Sequence, residues 1–231
     1  MHKTRFKGSF HWSLGWLLTL STFCLTAEVP AISRTNPACD QEMERGDFKS
    51  ASFLESMQRC LRSFPKDEQY ANATASAYLY QGDFERARVW STKAIEIATR
   101  GNLELNNGNE TNYMGTAYLL KMFAEYPLAI GSGYDWTEVR TTAVAVSQLA
   151  GCPPNGVQKT NFKVDSSLSA EDKKSHCMDA FMVLVRADHS LGRKKQACIR
   201  AKWGVSNGLA RYSGFYEYTL EDIHENCLKS Q

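Results

Sequence analysis

The sequence predicts an all-α fold of about nine helices, joined as hairpins, exported and stapled by disulfides. Three observations carry that reading. The tripeptide Gly46-Asp47-Phe48 returns as Gly82-Asp83-Phe84, 36 residues later. A turn glycine followed by an amphipathic helix, repeated at a spacing of 20–50 residues, is how helical hairpin arrays look in sequence. Apolar residues recur at threes and fours on either side of those turns. An even set of cysteines follows a basic, then apolar, N-terminal segment.

That segment places Lys3, Arg5 and Lys7 before an apolar run from Trp12 to Ala27. A basic head and an apolar stretch of about 15 residues describe a secretory signal peptide. The expected cut follows Ala27, with Val29-Pro30-Ala31 as the alternative site, and an uncleaved anchor is the competing reading. A membrane span needs about 20 apolar residues. Cys24 lacks the small preceding residue that a lipidated cysteine requires. Loss of residues 1–27 lowers the formal charge from +2 to −1, with both signs interspersed. A nucleic-acid footprint and a polybasic membrane patch are therefore not expected. At 231 residues and 43% hydrophobic, the full chain is long enough to bury a sizeable core.

Of seven cysteines, six lie beyond Cys24: Cys39, Cys60, Cys152, Cys177, Cys198 and Cys227. In an exported chain they imply three disulfides and an oxidising compartment, against the alternative of six reduced core thiols. Six cysteines allow 15 connectivities. Sequence neighbours are favoured: Cys39 with Cys60, Cys152 with Cys177, and Cys198 with Cys227. The two cysteines of the last pair lie at comparable distances from a turn near Arg211. The first needs Cys39 on an extended lead-in. The lack of any Cys-x-x-Cys counts against a zinc knuckle or a thioredoxin-like centre.

Residues 28–38, with two prolines, read as that lead-in, and a short helix fits within Cys39–Arg45. From Asp47 to Ser63, Phe48, Ala51, Leu54, Met57 and Leu61 mark a helical face, closed by Pro65. Tyr70, Ala71, Ala75, Tyr78 and Leu79 mark a second helix over 67–81. Phe84, Ala87, Trp90, Ala94 and Ile97 mark a third, ending near Gly101.

The second and third helices together resemble one tetratricopeptide repeat. Its small residue and aromatic on the first helix, turn glycine, following aromatic and spaced alanines correspond to Ala75, Tyr78, Gly82, Phe84, Ala87 and Ala94. Small residues let helices approach closely while aromatics fill the gaps. The chain departs from the pattern at Ala71, where a large apolar group is usual, and lacks a closing proline near Thr99. The preceding copy is partial: Gly46, Phe48 and Ala51 fit, but Gln58 stands where alanine is normal. The resemblance implies a short solenoid whose concave face binds protein or peptide partners.

Residues 102–109 form a polar link, and 113–130 form a helix apolar on nearly all sides, hence buried. Lys121, Glu125 and Pro127 argue against its crossing a membrane. Gly131-Ser132-Gly133 turns the chain into a helix opened by Asp135 and Glu138 and running to Leu149. A loop over 151–169 divides an N-terminal half (28–150) from a C-terminal half (170–231). Ser169 and Asp172 cap the next helix, with Cys177, Phe181, Leu184 and Leu191 on one face. Gly192 turns into a helix over 193–208 bearing Ala197, Ala201 and Gly204. After aromatics from Tyr212 to Tyr218, Leu220, Ile223 and Cys227 mark a short helix suited to cap a solenoid.

Catalytic patterns are absent. His176 and His189 lie 13 positions apart on one helix, a rotation of roughly 220° that points them to different sides. His224 has no metal-binding pattern beside it. His176-Cys177 would splay as neighbours, and Cys177 reads as a disulfide partner rather than a nucleophile. Glu55, Glu85, Asp47 and Asp83 read as helix-start charges. Asn72 and Asn109 begin glycosylation sequons, Asn72 being a poor acceptor on a helix. No catalytic residue, metal or cofactor is assigned, and the chain is read as a non-enzyme. The expected role is a periplasmic or secreted scaffold binding a protein or peptide, with Tyr70, Asn72, Ala73, Ser76, Ala77 and Tyr80 lining the groove. The rival reading is a small secreted effector, enzyme or inhibitor of an envelope enzyme, working through the 151–169 loop or the Tyr212–Tyr218 aromatics.

Overall fold

The computed structural model describes residues 36–105, 114–152, 164, 168–206, 224, 225 and 227, with side chains described outside 101–105. The signal segment, Asn109, most of the 151–169 loop and the Tyr212–Tyr218 aromatics lie outside the described residues. Among them there are eight helices and no strand: α1 (Pro37–Arg45), α2 (Ala51–Ser63), α3 (Glu68–Tyr80), α4 (Phe84–Leu105), α5 (Met114–Gly131), α6 (Trp136–Leu149), α7 (Ala170–Ser190) and α8 (Lys194–Ser206). Of the expected ninth helix, His224, Glu225 and Cys227 are helical.

Local chemistry sets most of the boundaries. Asn36 caps α1, accepting from the Ala38 N–H, and Pro37 takes the first helical position, where no N–H is needed. The helix therefore begins inside the stretch expected to be extended. Asp67 and Asp135 cap α3 and α6 in the same way. At α7 the expected pair forms a reciprocal capping box, Ser169 accepting from the Asp172 N–H and donating its own N–H to Asp172, both at 3.1 Å. Each such cap stabilises its helix by about 1 kcal/mol. Gly82 and Gly192 leave α3 and α7 at φ +76° and +71°, a left-handed conformation that disfavours any side chain.

The start of α2 differs from the sequence expectation. Ser50 caps it, and Phe48 lies before the helix, stacked on Tyr80 with centroids 5.1 Å apart and edge-on to Phe53 at 5.0 Å. Aromatic packing there outweighs one more helical turn. Because α2 begins at Ala51, its buried face is Phe53, Met57, Cys60 and Leu61, while Ala51 is exposed. The third helix also differs, continuing through the first part of the expected 102–109 link to Leu105.

Each helix packs on its sequence neighbours, and α5 also touches α3 and α7. Phe53, Met57, Tyr70 and Ala71 of α2 and α3 form one core region with Cys39 and Ala94. A larger one draws Met122 from α5, Val139 and Val146 from α6, Phe181 and Leu184 from α7 and Ala201 from α8. The interior is thus continuous across the loop at 151–169. Full burial of each large apolar side chain is worth about 1.5–3 kcal/mol. As expected, α5 is buried on most sides. It runs through Pro127 to Gly131, although proline cannot donate to the carbonyl four residues back.

The disulfides join Cys39 to Cys60, Cys152 to Cys177 and Cys198 to Cys227, with Cα atoms 5.9, 5.5 and 5.7 Å apart. These are the neighbour pairings, reached in one case by another route. Cys39 sits in the first turn of α1 itself, not on an extended lead-in, because Asn36 and Pro37 start the helix early.

Candidate functional site

The face of α4 carrying Arg86, Trp90 and Lys93, at i, i+4 and i+7, meets the end of α2 and the side of α3. Between them lies a cleft of about 350 Å³, lined by Gln58, Leu61 and Arg62 of α2, Tyr78 of α3 and those three residues of α4. Leu61 and Tyr78 are buried and Trp90 is half-buried, so the floor is apolar and aromatic. Arg62, Arg86 and Lys93 are exposed at the rim, and no carboxylate lines the cleft.

Local contacts hold this arrangement. Gln58 donates through its Nε2 to the Tyr78 hydroxyl at 3.0 Å. The Arg86 guanidinium stands 5.6 Å from the centre of the Tyr78 ring, and the Lys93 ammonium 4.7 Å from that of Trp90. Gln58 is where the N-terminal copy departs from the repeat pattern: an amide in place of a methyl group reaches across to α3.

The six residues expected to line a groove divide differently. Tyr70, Asn72, Ala73 and Ala77 are buried, Tyr70 at 1% exposure and Ala77 at 0%, so they pack the interior. Ser76 and Tyr80 are half-buried. The cause is the position of α3, covered by α2, α4 and α5. Tyr70 donates to Asp40 of α1 at 3.0 Å, and burial, then that carboxylate, raises its pKa. Burial of Asn72 also removes it as a glycosylation acceptor in the folded chain.

No known protein family matches the chain, nor does any curated protein or solved structure. What the site does must be read from its chemistry.

Interior ionisable groups outside the cleft are tied across helices. Lys121 pairs with Glu125 one turn on and donates to Thr142 of α6 at 3.0 Å, while the Tyr134 hydroxyl donates to Glu125 at 3.1 Å. Burial and the Glu125 charge push the Tyr134 pKa up to about 12. Asp188 of α7 accepts from Arg140 of α6 at 2.8 Å and pairs with Arg200 of α8. Burial, then the Arg140 charge, lowers the Arg200 pKa to about 10. These networks were not anticipated. Asp188 fills the gap in the stripe Phe181, Leu184, Leu191, and a charge on an apolar stripe is the signal that marks it. Cys177 is disulfide-bonded and has no thiol to act as a nucleophile. Among the described residues, no three His, Cys, Asp or Glu side chains gather as a metal site.

Asp179 gives a pH dependence. Burial raises its carboxyl pKa to about 7, whereas an unfolded aspartate titrates near 3.9. The folded chain holds this proton more tightly, so the contribution to stability is complete below about pH 4 and declines as pH rises to about 7. Thermal melts of Asp179→Asn at pH 5 and pH 8 should differ less than those of the parent chain. An unchanged difference would assign the dependence to other groups.

Proposed function

We propose that the chain is an exported, non-enzymatic helical scaffold that binds a protein or peptide partner in the periplasm or outside the cell. The observation that carries this reading is the cleft between α2, α3 and α4, where an accessible indole on an apolar floor is ringed by cations. Aromatic and arginine side chains that meet in a concavity are the features of binding hot spots.

The repeat resemblance supports it. Ala75, Ala87 and Ala94 have no exposed surface, Tyr78 is buried, and Gly82 makes the left-handed turn between α3 and α4. Successive helices pack in order, and the alternate helices α3, α5 and α7 touch in series, as the inner layer of a short tetratricopeptide-like solenoid would. Helical residues at His224, Glu225 and Cys227 suit a ninth, capping helix. Three disulfides suit an oxidising compartment, and no described helix is long and apolar enough to cross a membrane.

Site-specific photo-crosslinking tests the reading in the organism's own envelope and culture fractions. A crosslinker at Lys93 in the cleft or Ser76 on α3 should give a discrete protein adduct, absent from a control at exposed Thr141 of α6. No adduct at either position, or equal adducts at all three, would sink the binding role.

A further inference from the structure

We propose that the cleft takes an acidic, extended segment of the partner, its carboxylates spaced about two to four residues apart around an apolar side chain seated on Trp90. This rests on the partner-binding reading and adds the chemical class of the ligand.

Charge comes first. Three cations and no carboxylate line the cleft. Arg86 is partly neutralised by Asp83, 3.4 Å away. Arg62 and Lys93 have no carboxylate partner among the described residues. An anionic ligand would meet a rim with uncompensated positive charge, which is complementarity of the kind that selects partners.

Spacing comes second. Arg86 and Lys93 lie seven positions apart on α4, about 10 Å along the axis at 1.5 Å per residue. An extended peptide rises about 3.4 Å per residue, so about three residues cover that distance. The reach of Arg and Lys side chains widens the match to two to four. Trp90 lies midway, one turn from each cation. A segment with acid at both ends and an apolar residue between therefore places each group on its complement. A single phosphate or sulfate needs donors converging on one point, and here they are strung along two helical turns. A polyanion needs a longer basic track, while the whole chain carries 27 Lys and Arg against 25 Asp and Glu.

A random peptide display library selected on the disulfide-intact chain tests the proposal. The recovered peptides should be enriched in Asp or Glu two to four residues apart around an apolar residue. They should bind Arg62→Glu/Lys93→Glu at least tenfold more weakly, and their Asn/Gln counterparts should bind the parent at least tenfold more weakly. Both substituted side chains are exposed, and the far-ultraviolet dichroism and melting temperature should match the parent. Trp90→Phe should remove most of the fluorescence change on binding. Peptides without acidic enrichment, or binding indifferent to charge reversal, would overturn the proposal. Equal charge-dependent binding of heparin fragments or single-stranded DNA would overturn it in favour of a general polyanion site. If Lys93 crosslinks a partner while acidic peptides fail, the ligand class is wrong and the binding role stands; if both fail, both readings fall.

Discussion

Asp188→Ala is expected to destabilise the chain by about 3–5 kcal/mol, the loss seen when one member of a buried ion pair is removed. Asp188 is 0% and Arg200 1% exposed, and the carboxylate also accepts from Arg140. Without it, two guanidinium groups face each other across the α6–α7–α8 interface, and Arg200 cannot reach water without moving α8. The lowered Arg200 pKa already shows the burden of burial with Arg140 nearby. The cost should come from uncompensated charge rather than from lost volume. Asp188→Leu combined with Arg200→Met removes both buried charges at similar size, so it should cost clearly less than Asp188→Ala alone. Urea unfolding of the two variants decides it. If the double variant is as unstable as the single, the network contributes through shape and the electrostatic account is wrong.

The same triad shows where sequence reading stops. Of the stripe Cys177, Phe181, Leu184 and Leu191, only Phe181 and Leu184 are buried, because α7 is covered on most sides from Met178 to Asp188, and the stripe skipped Asp188 and so the polar tie it makes. Its partners lie 48 positions back and 12 ahead, on helices whose adjacency a linear pattern does not contain. Burial of α3 was hidden for another reason. Alanines suit a one-sided stripe and an all-round interior alike, and Thr74 is buried because its hydroxyl bonds the Tyr70 carbonyl at 2.8 Å. What was legible rests on chemistry within a few residues: the Ser169 and Asp135 caps, and the glycine turns at Gly46, Gly82 and Gly192. The cleft was not. Arg86, Trp90 and Lys93 share one face of α4 by spacing alone, but only packing brings Arg62 of α2 and Tyr78 of α3 to that face. Gln58, where the N-terminal copy departs from the repeat pattern, stands in the cleft wall.

Replacing Cys39 and Cys60 together with alanine should cost about 3 kcal/mol, and the loss should be local to α1. In the chain-entropy account, closing loops of 21, 25 and 29 residues differs by only a few tenths of a kcal/mol, so the three bridges rank almost equally on that ground. They differ in what else holds their ends. Cys152, just past the end of α6, is tied to Cys177 of α7, and those two helices share an extensive core. By contrast α1 has nine residues, too few to be stable alone, and Cys39 is its one buried side chain. Apart from the bridge, α1 is tied by the Tyr70–Asp40 hydrogen bond and by partly buried Met43. Hydrogen exchange should therefore rise over residues 37–45 in Cys39→Ala/Cys60→Ala, with α5 to α7 still protected, whereas Cys152→Ala/Cys177→Ala should lower global stability with no such local opening. Uniform loss of protection in both variants would refute the local account. A thiol titration of the denatured, unreduced protein checks the framework beneath it. The expected count is zero if the leader is removed and one, from Cys24, if it is retained. Six or seven reactive thiols would overturn the disulfides and, with them, the inference of export.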